Sequence, residues 1–368
     1  MLIPHISGRS VYATLFAVLL CTANALQAQN QASLSLLERT IEAGEKQEFP
    51  FLIDRTFETS YVNMPVYVAH GLQAGHRLCV TAGIHGDEIN GSEIARRTFA
   101  GIDPANLHGT VIMLPMINTA GIRNGERYMS DRRDLNRHFP GNYDGSIASI
   151  VARATFDLVT NHCDTLIDLH TGSFLRTNAP QIRVTRKNPE ALTLARNFGS
   201  GIIILGDGPR GSMRREAIEA GLTAIIYEAA GPHVFDVEAA DVGVRGLINV
   251  MNHLEMLPGD SPEIPDNQVY QRTTWVRVPL GAGGYFFPEV TLGTKVNTGQ
   301  RMGYLVSPLD NETTVVNATQ DGIIIGMARP QIVLSGYALF HLGLGGQSGE
   351  LTEKELREQE TVNDLTDG

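Results

Sequence analysis

A histidine and a glutamate three residues apart, His85 and Glu88, stand in the stretch "TAGIHGDEINGSEIARR" (81–97), directly after the apolar run Leu78 to Val80. That spacing puts two side chains on one face of a single helical turn, within reach of one cation. Taken alone, H-x-x-E also describes a surface turn with a capping carboxylate, so the surroundings have to decide. Gly83 and Gly86 fit a tight passage from strand to helix, and a second histidine, His170, follows another apolar run in "TLIDLHTGS". Two imidazoles and a carboxylate delivered from strand ends make the His₂Glu set of catalytic zinc sites, which leave a position open for water. Asp168, two residues before His170, points to the same face of its strand. It either orients that imidazole from behind or caps a turn at the edge of the core.

Such ligands need a rigid frame. Between residues 76 and 256 the short apolar runs "LCVTAGI", "GTVIMLPMIN", "TLIDLH", "GIIILGDG" and "TAIIYEAAG" alternate with amphipathic segments such as "SIASIVARATFDLVTNH", "ALTLARNFG" and "GLINVMNHLEML". The alternation predicts an α/β domain over residues 29–256, with a mixed, largely parallel sheet and helices on both faces. Ligands of open α/β sheets bind beyond the carboxyl ends of the strands. His85, Asn118, His170 and Glu228 all fall at or just after such ends.

The proline-rich "LPGDSPEIPDN" can continue neither a helix nor a central strand, and a linker is expected over residues 257–268. Residues 269–345 are rich in Gly and Val and pair short strands with glycine turns, a pattern that resembles the biotinyl and lipoyl carrier barrel-sandwich. The carrier lysine would belong near the "SPLDNETT" hairpin, which has none, and Lys295 lies elsewhere, so an all-β barrel without a prosthetic group is expected. Residues 346–368 read as a disordered acidic tail.

At the other end, Arg9, the apolar run Val11 to Leu20 and the small residues Ala23, Ala25 and Ala28 have the layout of a secretory signal peptide over residues 1–28. The run is shorter than the roughly 20 residues that span a bilayer. Cleavage is expected within Asn24 to Ala28, with an exported, periplasmic product and no membrane attachment afterwards. Cys21 suggests a lipoprotein cysteine, but Leu20 stands where that signal needs a small residue. In an oxidising compartment Cys79 and Cys163 are either a disulfide or two buried thiols. A net charge of −11 without a basic cluster excludes nucleic acid and anionic membrane surfaces as partners. Oligomerisation stays open.

In their order along the chain, "GIHGDEINGSE", "RYMSDRRDLNRHFPG", "DLHTGS" and "IIYEAAG" resemble the four signature blocks of the succinylglutamate desuccinylase/aspartoacylase family, relatives of the zinc carboxypeptidases. The resemblance implies one Zn²⁺ per chain, bound by His85, Glu88 and His170, with Glu228 as the base acting on an attacking water. It further implies that Arg127 polarises the scissile carbonyl and that Asn136 and Arg137 grip a substrate carboxylate. Physical chemistry agrees with each role: a carboxylate moves protons, a guanidinium stabilises a developing oxyanion, and a second one matches a carboxylate as a fork. Arg132 and Arg133 read as surface charge, and His138 and His341 as structural. Arg176 and Arg183 either add positive charge to the pocket mouth or face solvent, and Tyr285 is a candidate to reach in from the barrel.

The expected activity is cleavage of the amide bond in small N-acyl amino acids or related carboxylate-bearing small molecules. One alternative is a zinc carboxypeptidase or amidase acting on peptides such as those of the cell wall. Another is a zinc-bearing binding protein without catalysis, against which Glu228 and Arg127 speak. Release of a free acid, compared with release of a terminal residue, separates the first two.

Overall fold

The computed structural model describes residues 31–55, 59, 61–259 and 264–348. The expected signal segment, Cys21 and most of the acidic tail lie outside them. The main sheet begins with β1 (Glu45–Arg55), β2 (Tyr61–His70), β3 (Gln73–Ala82) and β4 (His108–Leu114). It continues with β5 (Thr165–His170), β6 (Arg176–Val184), β7 (Ile202–Leu205) and β8 (Thr223–Ala230). Strands β4, β3, β5 and β8 lie side by side and parallel. Helices cover both of their faces, and for that reason they read as nearly continuous apolar runs.

On one face pack α1 (Asn90–Gly101), α4 (Pro189–Phe198) and α6 (Val237–His253), burying Ile94, Phe99, Phe198, Tyr227 and Leu247. On the other pack α3 (Ile147–His162) and α5 (Met213–Glu219), over Met64, Cys79, Ile112, Val151, Leu166 and Met213. Each such side chain contributes about 1.5–3 kcal/mol by leaving water. Side-chain caps start three of these helices: Asn188 for α4 with Pro189 following, Ser146 for α3 and Asp236 for α6. The short α2 (Thr119–Asn124), after β4, is capped by Asn118, whose oxygen accepts from Gly121 N. Cys79 and Cys163 form a disulfide joining β3 to the end of α3.

The sheet is not largely parallel, which corrects the sequence expectation. β1 and β2 form an antiparallel hairpin on β4, β6 runs antiparallel to β8, and only β7 returns parallel to β6. The hairpin left no apolar run because much of it faces solvent. The barrel adds more antiparallel pairing.

Beyond the proline-rich stretch come β9 (Gln268–Tyr270), β10 (Arg272–Arg277), β11 (Gly284–Pro288), β12 (Lys295–Val296) and β13 (Arg301–Val306). Then follow β14 (Thr313–Asn317), β15 (Gly322–Ala328), β16 (Gln331–Val333) and β17 (Ala338–Leu344). They enclose their own core of Phe286, Met302, Ile324 and Phe340. β14, β13, β11 and β16 make a separate four-stranded sheet. β10, β17 and β15 instead extend the main sheet, because β15 pairs antiparallel with β6, and β9 pairs parallel with β7. The barrel therefore continues the main sheet to fourteen strands. Among the described residues no helix is long and apolar enough to cross a membrane.

Candidate active site

The chain leaves β3 at Ala82 and turns at Gly83, whose φ is +65°. The turn then presses against α2: a Cβ on Gly86 would sit 2.1 Å from Gly121 C and 2.3 Å from Ile122 N, so only glycine fits. Glu88 N donates to His85 O at 3.2 Å, and α1 begins only at Asn90. The H-x-x-E pair thus rides on a single turn ahead of the helix. His85 Nδ1 lies 2.8 Å from Glu88 Oε1, and His170 Nδ1, at the end of β5, lies 2.8 Å from Glu88 Oε2. One ligating atom from each of the three buried residues falls within 4.8 Å of the others.

The far side of each imidazole faces a carboxylate. His85 Nε2 is 3.0 Å from Asp134 Oδ1, and His170 Nε2 is 2.9 Å from Asp168 Oδ2, whose other oxygen accepts from Thr81 Oγ1 at 2.7 Å. With the Nε2 protons committed to carboxylates, both Nδ1 lone pairs point at the oxygens of Glu88, and only a positive species between them removes the repulsion. Burial opposes charge here, yet Asp168 and Glu88 hold the His170 imidazole well above its ordinary pKa. The two imidazoles likewise hold Glu88 well below its own, against its complete burial. A cation coordinated by two nitrogens and a carboxylate replaces the proton directly. Carboxylates behind both ligand histidines are the supports such zinc sites use, so these residues fit the metal.

Arg127 stands beside this cluster. Its Nη1 donates to Glu88 Oε1 at 3.0 Å and to Ser173 Oγ at 2.8 Å, and its Nη2 donates to Asp134 Oδ2 at 2.9 Å. Glu228 is the register partner of His170 across the β5–β8 ladder, which brings the two side chains to one face. Its Oε2 accepts from Asn178 Nδ2 at 2.6 Å and pairs with Arg183 Nη2 at 3.2 Å, while no hydrogen bond engages Oε1 among the described residues. Asn136 is buried, and its Oδ1 accepts from Met213 N at the start of α5, leaving Nδ2 as the uncommitted end. Arg137 is exposed, its Nη1 donating to Asn136 O at 2.8 Å. Arg132 and Arg133 are exposed. Tyr285 lies on the separate sheet of the barrel opposite Ile332 and is half-exposed.

Three participants escape sequence reasoning. Asp134 holds both His85 and Arg127, and its carboxyl is kept well below the ordinary range: burial would raise it, but the neighbouring imidazole and guanidinium outweigh that. Ser173 and Asn178 steady Arg127 and Glu228. Asp134 opens the "DLNR" block and Ser173 closes "DLHTGS", so membership in those blocks was the available signal for the first two. Asn118 braces the loop that carries Arg127, donating to Tyr128 O at 3.2 Å, and is structural.

Residues 74–254 match the family model for the succinylglutamate desuccinylase/aspartoacylase catalytic domain. The chain is 25% identical over 281 residues to N-alpha-acetyl-L-2,4-diaminobutyric acid deacetylase of Halomonas elongata, covering 71% of this chain and 80% of that protein. Among solved structures, a succinylglutamate desuccinylase/aspartoacylase from Rhodobacter sphaeroides superposes with a TM-score of 0.75 at 22% identity, covering 87% of this chain and 100% of that one. The product-bound ectoine utilization protein EutE (DoeB) from Ruegeria pomeroyi gives a TM-score of 0.74 at 21% identity, over 86% and 99% of the two chains. At these identities the structural likenesses establish the fold.

Proposed function

Because the chain belongs, through residues 74–254, to the succinylglutamate desuccinylase/aspartoacylase family, we propose that it is a zinc-dependent hydrolase cleaving the amide bond of small N-acyl amino acids or related amides that carry a free carboxylate. One observation carries the reading: His85, Glu88 and His170 converge with the far nitrogen of each imidazole against a carboxylate. Zinc held there supplies Lewis acidity and a water whose pKa is lowered toward about 7. Glu228, with Oε2 tied down and Oε1 free, takes a proton from the attacking water and returns it to the departing amine. Arg127, its plane fixed by Ser173 and Asp134, meets the charge that develops on the carbonyl oxygen. Asn136 through Nδ2 and Arg137 through its fork hold the substrate carboxylate, Arg137 from the exposed rim. The deacetylase relative supports removal of an acyl group from an amino acid. The buried Cys79–Cys163 disulfide supports export to an oxidising compartment, which we propose is the periplasm.

The test is a mass-spectrometric screen of zinc-loaded protein against N-acyl amino acids and peptides, repeated with Glu228→Gln. Free acid should appear from N-acyl amino acids. Glu228→Gln should keep its zinc and lose about 10²- to 10⁴-fold in turnover. Release of terminal residues from peptides would replace the deacylase with a carboxypeptidase, and Glu228→Gln turning over like wild type would remove Glu228 as the base.

A further inference from the structure

The β6 strand carries a bulge. Glu228 and Ala230 of β8 face Gln181 and Asn178 of β6, so three steps on β6 oppose two on β8, with the extra residue at Ala179–Pro180. Proline lacks an N–H to give the ladder and suits such a position. The extra residue reverses the alternation, so Arg176 and Asn178 come to the same face as Gln181, Arg183 and Glu228. The row continues into the barrel: Asn178 is opposite Gly326 in β15, Gly326 opposite His341 in β17, and His341 opposite Trp275 in β10. A Cβ on Gly326 would strike Asn178 Oδ1 at 2.6 Å, so glycine lets the two sides close.

Arg176 lies over this seam. Its guanidinium carbon is 5.0 Å from the Trp275 ring centre, 5.8 Å from Tyr337 and 5.9 Å from Phe174. The Arg127 guanidinium carbon also lies 5.3 Å from the Phe174 ring, which places Arg176 one ring away from Arg127, itself bonded to Glu88. Arg176 Nε donates to Ser173 O at 3.1 Å, while Nη1 and Nη2 make no hydrogen bond among the described residues. Arg183 Nε and His341 Nδ1 are buried without partners there as well. Burial lowers the Arg176 pKa, and Arg183 adds to this against the opposing pull of Tyr337 and Glu228. His341, stacked 4.1 Å from Trp275, is held neutral by burial and then by Arg183 and Arg176. Arg183 Nη2 is thus paired with Glu228, while Arg176, held through Nε by Ser173 O, presents its Nη1 and Nη2 among the three rings.

We infer that Arg176, walled by Phe174, Trp275 and Tyr337 and assisted by Arg183, forms an anion subsite at the seam of the main sheet and the barrel, binding a second acidic group of the substrate. The inference rests on the hydrolase reading and narrows its substrates to those with an acid group besides the one held by Arg137. It also assigns the barrel a role, as the wall of the pocket.

Trp275 is the only tryptophan of the chain, so its emission reports on the subsite without turnover. Malonate, succinate, glutarate and adipate are titrated into zinc-loaded protein, with butyrate as the single-acid control. At least one diacid should change the emission saturably, with an affinity about ten- to a hundredfold above that of butyrate, as befits one bidentate charged contact. Arg176→Gln should abolish that preference and leave butyrate binding as it is. Arg176→Lys keeps the charge and the ring contacts, serves if the first variant fails to fold, and should lose part of the preference. Equal affinity for diacids and butyrate in wild type would overturn the subsite, as would an intact preference in Arg176→Gln or, where that variant does not fold, in Arg176→Lys. In those cases Arg176 only staples the barrel to the sheet. A chain that turned over nothing in the acyl screen would still give this binding result, so the two readings fail separately.

Discussion

Asp134 touches both halves of the proposed chemistry, and substituting it separates them. Its Oδ1 accepts from Asn136 N at 2.9 Å and faces His85 Nε2 at 3.0 Å, while Oδ2 accepts from Arg127 Nη2 at 2.9 Å. In Asp134→Asn the carbonyl oxygen keeps the side with two donors, so the new amide nitrogen meets Arg127. The loss is one charge-assisted hydrogen bond to a guanidinium that is 11% exposed, about 1.5–3 kcal/mol, or roughly ten- to a hundredfold in kcat/KM. Zinc affinity should change by less than about tenfold, because His85 keeps its acceptor. Asp134→Ala removes both contacts, and losing a carboxylate behind a ligand histidine costs about ten- to a hundredfold in metal affinity. Chelator competition reads the zinc, and steady-state kinetics on a substrate from the screen reads the turnover. Asp134→Asn with wild-type kcat/KM, or Asp134→Ala with wild-type zinc affinity, would refute the reasoning.

Replacing Cys79 and Cys163 together with alanine opens a loop whose ends are 84 residues apart and should cost about 2–4 kcal/mol; urea midpoints equal to those of the oxidised wild type would contradict this. In metal-stripped protein, the raised pKa of His170 contributes stability that is complete below the unfolded value of about 6.5 and is lost as pH rises through the folded value. Calorimetry of stripped protein should therefore show that contribution fade on the alkaline side, with a smaller change once zinc is restored, and a gain traced to His170 by His170→Ala would show the sign to be wrong. Gly86→Ala forces its Cβ into the backbone of Gly121, so the turn must shift His85 and zinc affinity should drop at least about tenfold; unchanged affinity would mean the turn yields elsewhere.

How much the sequence discloses depends on how locally each feature is encoded. His85 and Glu88 sit on one turn and His170 ends a strand buried along its whole length, so spacing and apolar runs expose them. Asp134 opens the "DLNR" block, but its partner His85 is 49 positions away and it lies in a loop without periodicity, so the block marks the place while no local pattern gives the contact. Strands β3, β5 and β8 are legible because burial on both faces makes them apolar, whereas β1 and β2 show water one side and their antiparallel pairing is lost. The joining of β15 to β6 comes from main-chain hydrogen bonds between distant segments, which side-chain patterns do not record. Pro180 inside an otherwise strand-like segment was a readable sign of the bulge, and with it of Arg176 turning toward the site.

The central claim is that His85, Glu88 and His170 hold one zinc ion. Anomalous diffraction at the zinc edge, on crystals of protein purified without added chelator, tests it most directly. One peak per chain is expected, bonded to the Nδ1 atoms of His85 and His170 at about 2.0–2.1 Å and to a Glu88 oxygen at about 2.0–2.2 Å. Contact through either Nε2, a peak elsewhere, or no peak from zinc-supplemented protein would contradict it.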